Sequence, residues 1–437
     1  MFDMKRLFLL AMSALLIGAP LANAQTKVVV NKEATEKKVA KSDLDIANPK
    51  KNTKAAVWLE RGKVFSDAAS EPSGGMYGGM EEIALKLLYG EPKTVGEKKL
   101  SDGVLAEYVY PYLSAYVKDG KVVFFDITEE VIPGAAEKAY EAYDKAYQVD
   151  PASAAKVAEG LRKLSNYYAE KAGNKYGLED YKASAECFRK AYEVKKHPAV
   201  NEIDTASLFN AGFLATFAGD FQQGLDMLNG ALAIGYDFDG DTYYYLFHCY
   251  YGLKQFDKSK NALEEGLKKH PKNNKLVEGL VSFYSTTEGY NPEEVIPVVK
   301  SAVENDPKNA ELWSGLGRVY DKLNMPEEAV GAFSTAAELA PEDFGTNFNL
   351  GLLYIKVGDM YNEKAGSAAS IEESNEMINK RIEAYAASIA PLEKAHSLNP
   401  TEKSTVELLK NVCFSLRDAK EGMLEKSNKY KALLEQL

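Results

Sequence analysis

The sequence predicts an all-α array of antiparallel helix pairs, each stacked on the next, with a small α/β insert near its start. Three observations carry this reading. Between Ala310 and Pro341, residues of alternating bulk recur at helical spacing on two successive segments: Trp313, Leu316, Gly317 and Tyr320, then Ala329, Phe333 and Ala336. Pro271, Pro307 and Pro341 stand 36 and 34 residues apart, a period that marks repeat architectures. The stretch LAEYVYPYLSAYVKDGKVVFFDI, which ends at Ile127, has the alternation and β-branched content of strands instead.

Taken in order, Lys5 and Arg6 precede an apolar run from Leu7 to Ala19, and Pro20 and Ala22-Asn23-Ala24 follow. This is the pattern of an export signal spanning residues 1–24, cleaved before Gln25, and its apolar run is too short to cross a bilayer. It predicts a mature chain that is exported, soluble and periplasmic or outer-membrane-associated, with no lipobox cysteine and no transmembrane span. Residues 25–54 are Lys-rich and poorly periodic, and read as a flexible leader. Trp58, Gly62 and Phe65 set the first helix of the array at 55–69. Residues 70–132 form the insert: a short helix to Tyr89, a stop at Gly90-Glu91-Pro92, then two strands joined at Asp119-Gly120 as a β-hairpin. Segment 133–204 carries degenerate repeat helices, with Ala139, Tyr143, Ala146 and Pro151 spaced as the second helix of a pair. Whether they pair with the helix at Trp58 is left open by the spacing.

Four regular units fill 205–343. The first has Leu208, Ala211, Gly212, Leu228 and Ala231; the second Tyr243, Leu246, Phe247, Tyr250, Leu263 and Gly266; the third Val277, Leu280, Val281, Tyr284, Val295, Val299 and Ala302. The unit at 344–400 is fixed by Leu350, Gly351, Tyr354, Leu392, Ala395 and Pro400, and holds 25 residues more than a plain unit. Ile378, Ile382, Tyr385 and Ile389 repeat there at coiled-coil spacing, so both helices are expected to extend as a hairpin over about 359–387, protruding about 19 Å at 1.5 Å per residue. Residues 401–437 read as capping helices with a polar outer face.

The eight positions Trp313, Leu316, Gly317, Tyr320, Ala329, Phe333, Ala336 and Pro341 resemble the full signature of the tetratricopeptide repeat (TPR). That resemblance implies a right-handed superhelix of about six repeat pairs. Gly317 and Ala329 let the two helices approach, the aromatic residues fill the space between units, and Pro341 ends the second helix. Gly79-Met80, Leu88, Gly90, Pro92, Tyr108 and Gly120 of the insert resemble the small outer-membrane assembly lipoproteins of the SmpA/OmlA type, from which the extra Tyr89 departs.

No catalytic constellation emerges. The four histidines, His197, His248, His270 and His396, show no ligand spacing, which speaks against a metal site. There is no nucleophile elbow and no phosphate loop, so neither a cofactor nor an enzyme activity is expected. Cys187, Cys249 and Cys413 fall in apolar helical patterns and read as buried thiols. Asp237-Phe238-Asp239-Gly240-Asp241 has the acids of a calcium loop, but its glycine is misplaced and His248 stands where the bidentate Glu belongs, so a helix-capping turn is expected. A net charge of −11 speaks against nucleic acid.

A surface remains. The family resemblance implies that positions 2, 5, 6, 9, 12 and 13 of each first helix line a concave groove that takes protein or peptide partners. Carried over, these are Phe209, Asn210, Phe213, Thr216 and Phe217 in one unit, Tyr244, Tyr245, His248 and Tyr251 in the next, and Arg318 further on. The alternative is that the aromatic stripe is core. The expected role is a non-enzymatic scaffold or adaptor of the bacterial cell envelope. A glycan-binding accessory of an exported sugar-uptake system is the second reading. It needs exposed tryptophans, and Trp58 and Trp313 both stand at a position expected to be buried.

Overall fold

The computed structural model describes residues 27–271 and 273–436; the export signal expected at 1–24 lies outside them. The chain divides into two compact units, one ending at Tyr236 and the other beginning at Asp237.

In the first unit, the segment expected to be a flexible leader is helix α1 (Lys32–Ala47). Asn31 caps it by accepting from the Ala34 amide at 3.0 Å. Its hold on α2 (Ala55–Ser70) is largely polar: Arg61 donates to Ser42 Oγ at 2.7 Å and to Asp43 at 2.6 Å, and Glu71 accepts from the Asn31 amide and Thr35 Oγ1. An apolar-periodicity reading has nothing to detect in such a helix.

After α2 comes the insert. Helix α3 (Glu82–Tyr89) covers one face of an antiparallel sheet of four strands in sequential order: β1 (Thr94–Leu100), β2 (Gly103–Tyr110), β3 (Leu113–Lys118) and β4 (Lys121–Ile127). The expected single hairpin is therefore a meander, and the expected turn is its last. Asp119 and Gly120 have φ of 52° and 74°, the left-handed pair a two-residue hairpin turn requires. Met80, Leu85, Leu88, Leu113, Ala115 and Val122 form the core beneath α3.

The chain then returns to the array at α4 (Ala135–Val149), which packs along α2. This answers the question left open by the spacing. A Cβ on Gly62 of α2 would lie 2.6 Å from the Tyr143 ring of α4, and Gly160 faces the same ring from α5 (Ala154–Gly177). Tyr143 fills a slot that exists because two glycines line it. Helix α5 outruns its partner α6 (Tyr181–Lys196), and its far end holds the sheet. Gly177 gives room to the Phe124 ring, Asn174 Oδ1 accepts from the Phe125 amide at 3.0 Å, and Lys175 pairs with Asp126 at 2.8 Å. Helices α7 (Thr205–Phe217) and α8 (Phe221–Ala233) complete the unit.

The second unit runs α9 (Asp241–Gly252), α10 (Phe256–Lys269), α11 (Asn274–Thr286), α12 (Val295–Asn305), α13 (Ala310–Lys322), α14 (Pro326–Leu339), α15 (Phe344–Gly366), α16 (Ile371–Leu398), α17 (Lys403–Ser415) and α18 (Met423–Leu434). Consecutive helices pack as hairpins. Gly317 abuts the fully buried Phe333 ring, as the repeat signature implies. Helices α15 and α16 are the prolonged hairpin, with Tyr385 Oη donating to Asp359 at 2.6 Å between them.

Trp58 and Trp313 are half-buried, not buried as expected. Each indole N–H donates to the carbonyl six residues earlier, Trp58 to Asn52 at 2.8 Å and Trp313 to Pro307 at 2.9 Å. Asn347, at the same position of its own unit, donates to Pro341 O at 3.1 Å. In these three units the residue at this position ties the entering loop to the first helix; the two indoles stay half-buried in doing so, whereas the smaller Asn347 is buried.

Candidate functional site

The faces of the first helices are the candidate surface, and the two units present them differently. On α7, Phe209 and Phe213 stack with ring centres 6.1 Å apart and planes 2° from parallel. They are 4% and 6% exposed, which overturns the expectation that they offer rings to a partner. Phe209 also meets Tyr236 edge-on at 6.0 Å. Phe217, at the end of the stripe, is 49% exposed, Asn210 is half-buried, and Thr216 is buried, donating to Gly212 O at 2.9 Å. Spacing alone cannot separate these cases, because burial of a stripe is set by the neighbouring helix.

In the second unit, α9 contributes Tyr244, His248 and Tyr251, all half-buried, whereas Tyr245 is buried. Tyr244 and His248 meet edge to face at 4.6 Å, and Tyr251 packs on Phe256 at 5.3 Å and Phe283 at 6.2 Å. Tyr244 lies above Gly279 of α11, where a Cβ would stand 3.5 Å from its ring. Burial pulls the His248 imidazole down to about 4, so at neutral pH it is uncharged. Burial raises the Tyr244 phenol, and the nearby Glu278 and Asp241 add to this.

Arg318 on α13 is the unusual group of this face. Its Nη2 is sealed from solvent with no hydrogen-bond acceptor among the described residues. Burial lowers its pKa, with Glu278 and Glu311 pulling the other way, yet neither carboxylate reaches ion-pairing distance. The neighbouring cations differ: Lys275 pairs with Asp241 at 2.5 Å and Lys356 with Asp321 at 2.8 Å. Further along, Phe348, Leu352 and Ile355 of α15 are half-buried apolar side chains at matching register positions. They escaped the sequence reading, although the register that located Arg318 places them too.

The acids of the 237–241 loop are engaged structurally. Asp237 bonds the His270 ring at 2.8 Å, and Asp241 accepts from Asn273 at 3.0 Å as well as pairing with Lys275. Phe238, Asp239 and Gly240 all have positive φ, and the turn so formed delivers the chain into α9. No group of three or more potential metal ligands occurs among the described residues. Cys187, Cys249 and Cys413 are buried thiols, none in a disulfide with another described residue, and burial pushes the Cys187 and Cys413 thiols up. In the insert, Glu107 accepts from Tyr116 Oη at 3.0 Å and Asp126 is paired with Lys175.

Residues 310–343 match the tetratricopeptide-repeat family model, so the α13–α14 pair is a tetratricopeptide repeat by sequence and by geometry. No curated protein matches the chain. Among solved structures, it is similar to a thermophilic TPR protein of Thermus thermophilus, at 19% identity over 48% of this chain and 98% of that one, with a TM-score of 0.29. A TPR repeats protein from Bacteroides fragilis aligns at 15% identity over 57% and 98%, with a TM-score of 0.30. MamA aligns at 22% identity over 44% and 93%, with a TM-score of 0.27. No helix of the described residues is long and apolar enough to cross a membrane.

Proposed function

We propose that the protein is a non-enzymatic scaffold that holds a protein segment on the first-helix face of its second unit, and that it works in a bacterial cell envelope. The location rests on the export-signal pattern of residues 1–24. The binding role rests on one observation: Tyr244, His248 and Tyr251 of α9 stand half-open, and on α13, the next first helix but one, stands an arginine that no carboxylate of the described chain pairs. Aromatic and arginine side chains are the usual anchors of protein recognition. The glycan reading is weaker, because both tryptophans are half-buried and held against the loops they fasten, which leaves no open ring platform. In the test, a photo-crosslinking residue replaces Tyr251, and in a control it replaces Glu304, exposed on the second helix of its pair. Discrete protein adducts in cell envelopes from position 251 and none from 304 are expected. Adducts from 304 alone would move the binding surface elsewhere.

A further inference from the structure

We infer that the face of the second unit selects an extended protein segment carrying an Asp or Glu side chain, which Arg318 receives, next to an apolar or aromatic residue that lies on Tyr244, His248 and Tyr251. This deepens the scaffold reading and rests on it.

The argument starts from the cost of the arginine. A buried donor without an acceptor forfeits the hydration it had in the unfolded chain, and a charged group loses more than a neutral one. Arg318 carries that cost: Nη2 is sealed, with no hydrogen-bond acceptor among the described residues. Glu278 and Glu311 are both exposed and favour its charge from a distance without closing on it. Lysines on the flanking helices already have their carboxylates, Lys275 at 2.5 Å and Lys356 at 2.8 Å. Lys322, one turn further along α13, is exposed and keeps its hydration, so an anion arriving at this face gains most at Arg318.

The surroundings narrow the ligand further. At the position on α11 that corresponds to Arg318 stands Ser282, small and exposed, and Arg318 is itself half-buried, so its side chain outside the sealed Nη2 reaches the surface. A planar guanidinium fork suits the two oxygens of one carboxylate. A chain-terminal carboxylate is the poorer match. On the preceding turn of α13, Ser314 Oγ is already engaged with Thr346 Oγ1 at 3.2 Å, so it offers no second donor beside the fork for a terminal group, which uses several. His248 is neutral at physiological pH and adds ring surface, not a second cation. The acid is thus read at one point, and its apolar neighbour on the aromatic side.

The test uses the full mature chain and a random peptide library displayed internally, with both ends of each peptide fused to carrier sequence. Enriched sequences are expected to share an Asp or Glu within about three residues of an aromatic or aliphatic side chain. Made as acetylated, amidated peptides and followed by fluorescence anisotropy, they should lose at least about tenfold in affinity on R318Q, from the loss of one buried charged pair. Replacing the peptide acid by its amide should cost as much, and both changes together little more than either. R318K should recover part of the binding, while the melting temperature of R318Q stays level or rises, because an unmet buried charge has gone. Peptides that weaken on Tyr251→Ala but ignore R318Q would overturn acid capture and leave the scaffold reading standing. Binding that needs a free C-terminus would overturn it in favour of a terminal carboxylate. A library with no enrichment removes both.

Discussion

The pair α13–α14 is closed by three residues, Leu323 to Met325, whereas 64 residues separate α2 from α4. Yet the two pairs share a joint. Gly317 meets Phe333 in one and Gly62 meets Tyr143 in the other; Trp313 and Trp58 each fasten a loop carbonyl six residues upstream. The difference shows that side-chain complementarity across the helices specifies the pair, and that contiguity does not. A flexible loop costs about 0.6 kcal/mol more for each doubling of its length, so going from three to 64 residues costs roughly 2–3 kcal/mol. One buried aromatic ring offsets that, and folding of the insert reduces the cost further.

The largest expected effect tests the joint itself. Phe333→Ala should destabilise by about 3–5 kcal/mol, the usual range for an emptied aromatic site. Tyr143→Ala should cost a comparable amount if the split pair is an equal joint. Urea denaturation of both variants measures this. A cost below about 1 kcal/mol for Tyr143 would make the α2–α4 contact incidental, since a core cavity is larger than that.

The next effect separates the two units by pH. His197 in the first unit is 3% exposed but has partners: its ring meets Asp144 at 3.2 Å, and Nδ1 accepts from the Ala199 amide at 3.1 Å. His248 in the second makes no ring hydrogen bond to the described residues, and burial holds its folded pKa near 4, below the ordinary 6.5. The unfolded chain therefore binds the extra proton first. His248 contributes its full stability above about pH 6.5, and that contribution falls as pH drops towards 4. The loss should be about 1–3 kcal/mol, and H248Q should flatten this part of the profile. Thermal melts between pH 7.5 and 4.5 decide it; identical slopes for both proteins would remove His248 as the source.

The smallest effect concerns the loop fasteners. W313F and W58F each keep most of the ring and lose the N–H donor, so each should cost about 0.5–1.5 kcal/mol. Similar values would sharpen the equivalence of the two pairs. A loss confined to W313F would restrict the fastener to the contiguous repeat. Hydrogen exchange at residues 48–54 and 305–309 would show which loop loosens.

Much of the array was readable because its code is local. Trp313 to Pro341 lie within one unit, and Ile378, Ile382, Tyr385 and Ile389 mark a seam on one helix. The signature at Trp58, Gly62 and Phe65 and its continuation at Tyr143 were visible too, but their contact depends on a tertiary approach that no spacing reports. Helix α1 went unread because Arg61 and Glu71 do much of its fastening, and a single half-buried Val39 packing on the core makes no periodic stripe. Strand β1, TVGEKKL, is a largely exposed edge with no buried face, so it shows none of the alternation that revealed its neighbours. The candidate face was legible as a register and illegible as an accessibility. Positions 209 and 213 look like 244 and 248 in the sequence, yet the first two are buried and the other two half-open.

The break between Ser70 and Ala135 has a practical corollary. A natural passenger already rides between two clasped rods, and its entry and exit points lie where the rods end. That makes the site a ready socket for engineered cargo, such as a fluorescent reporter with closely spaced termini, installed without touching the glycine slot that holds the rods together.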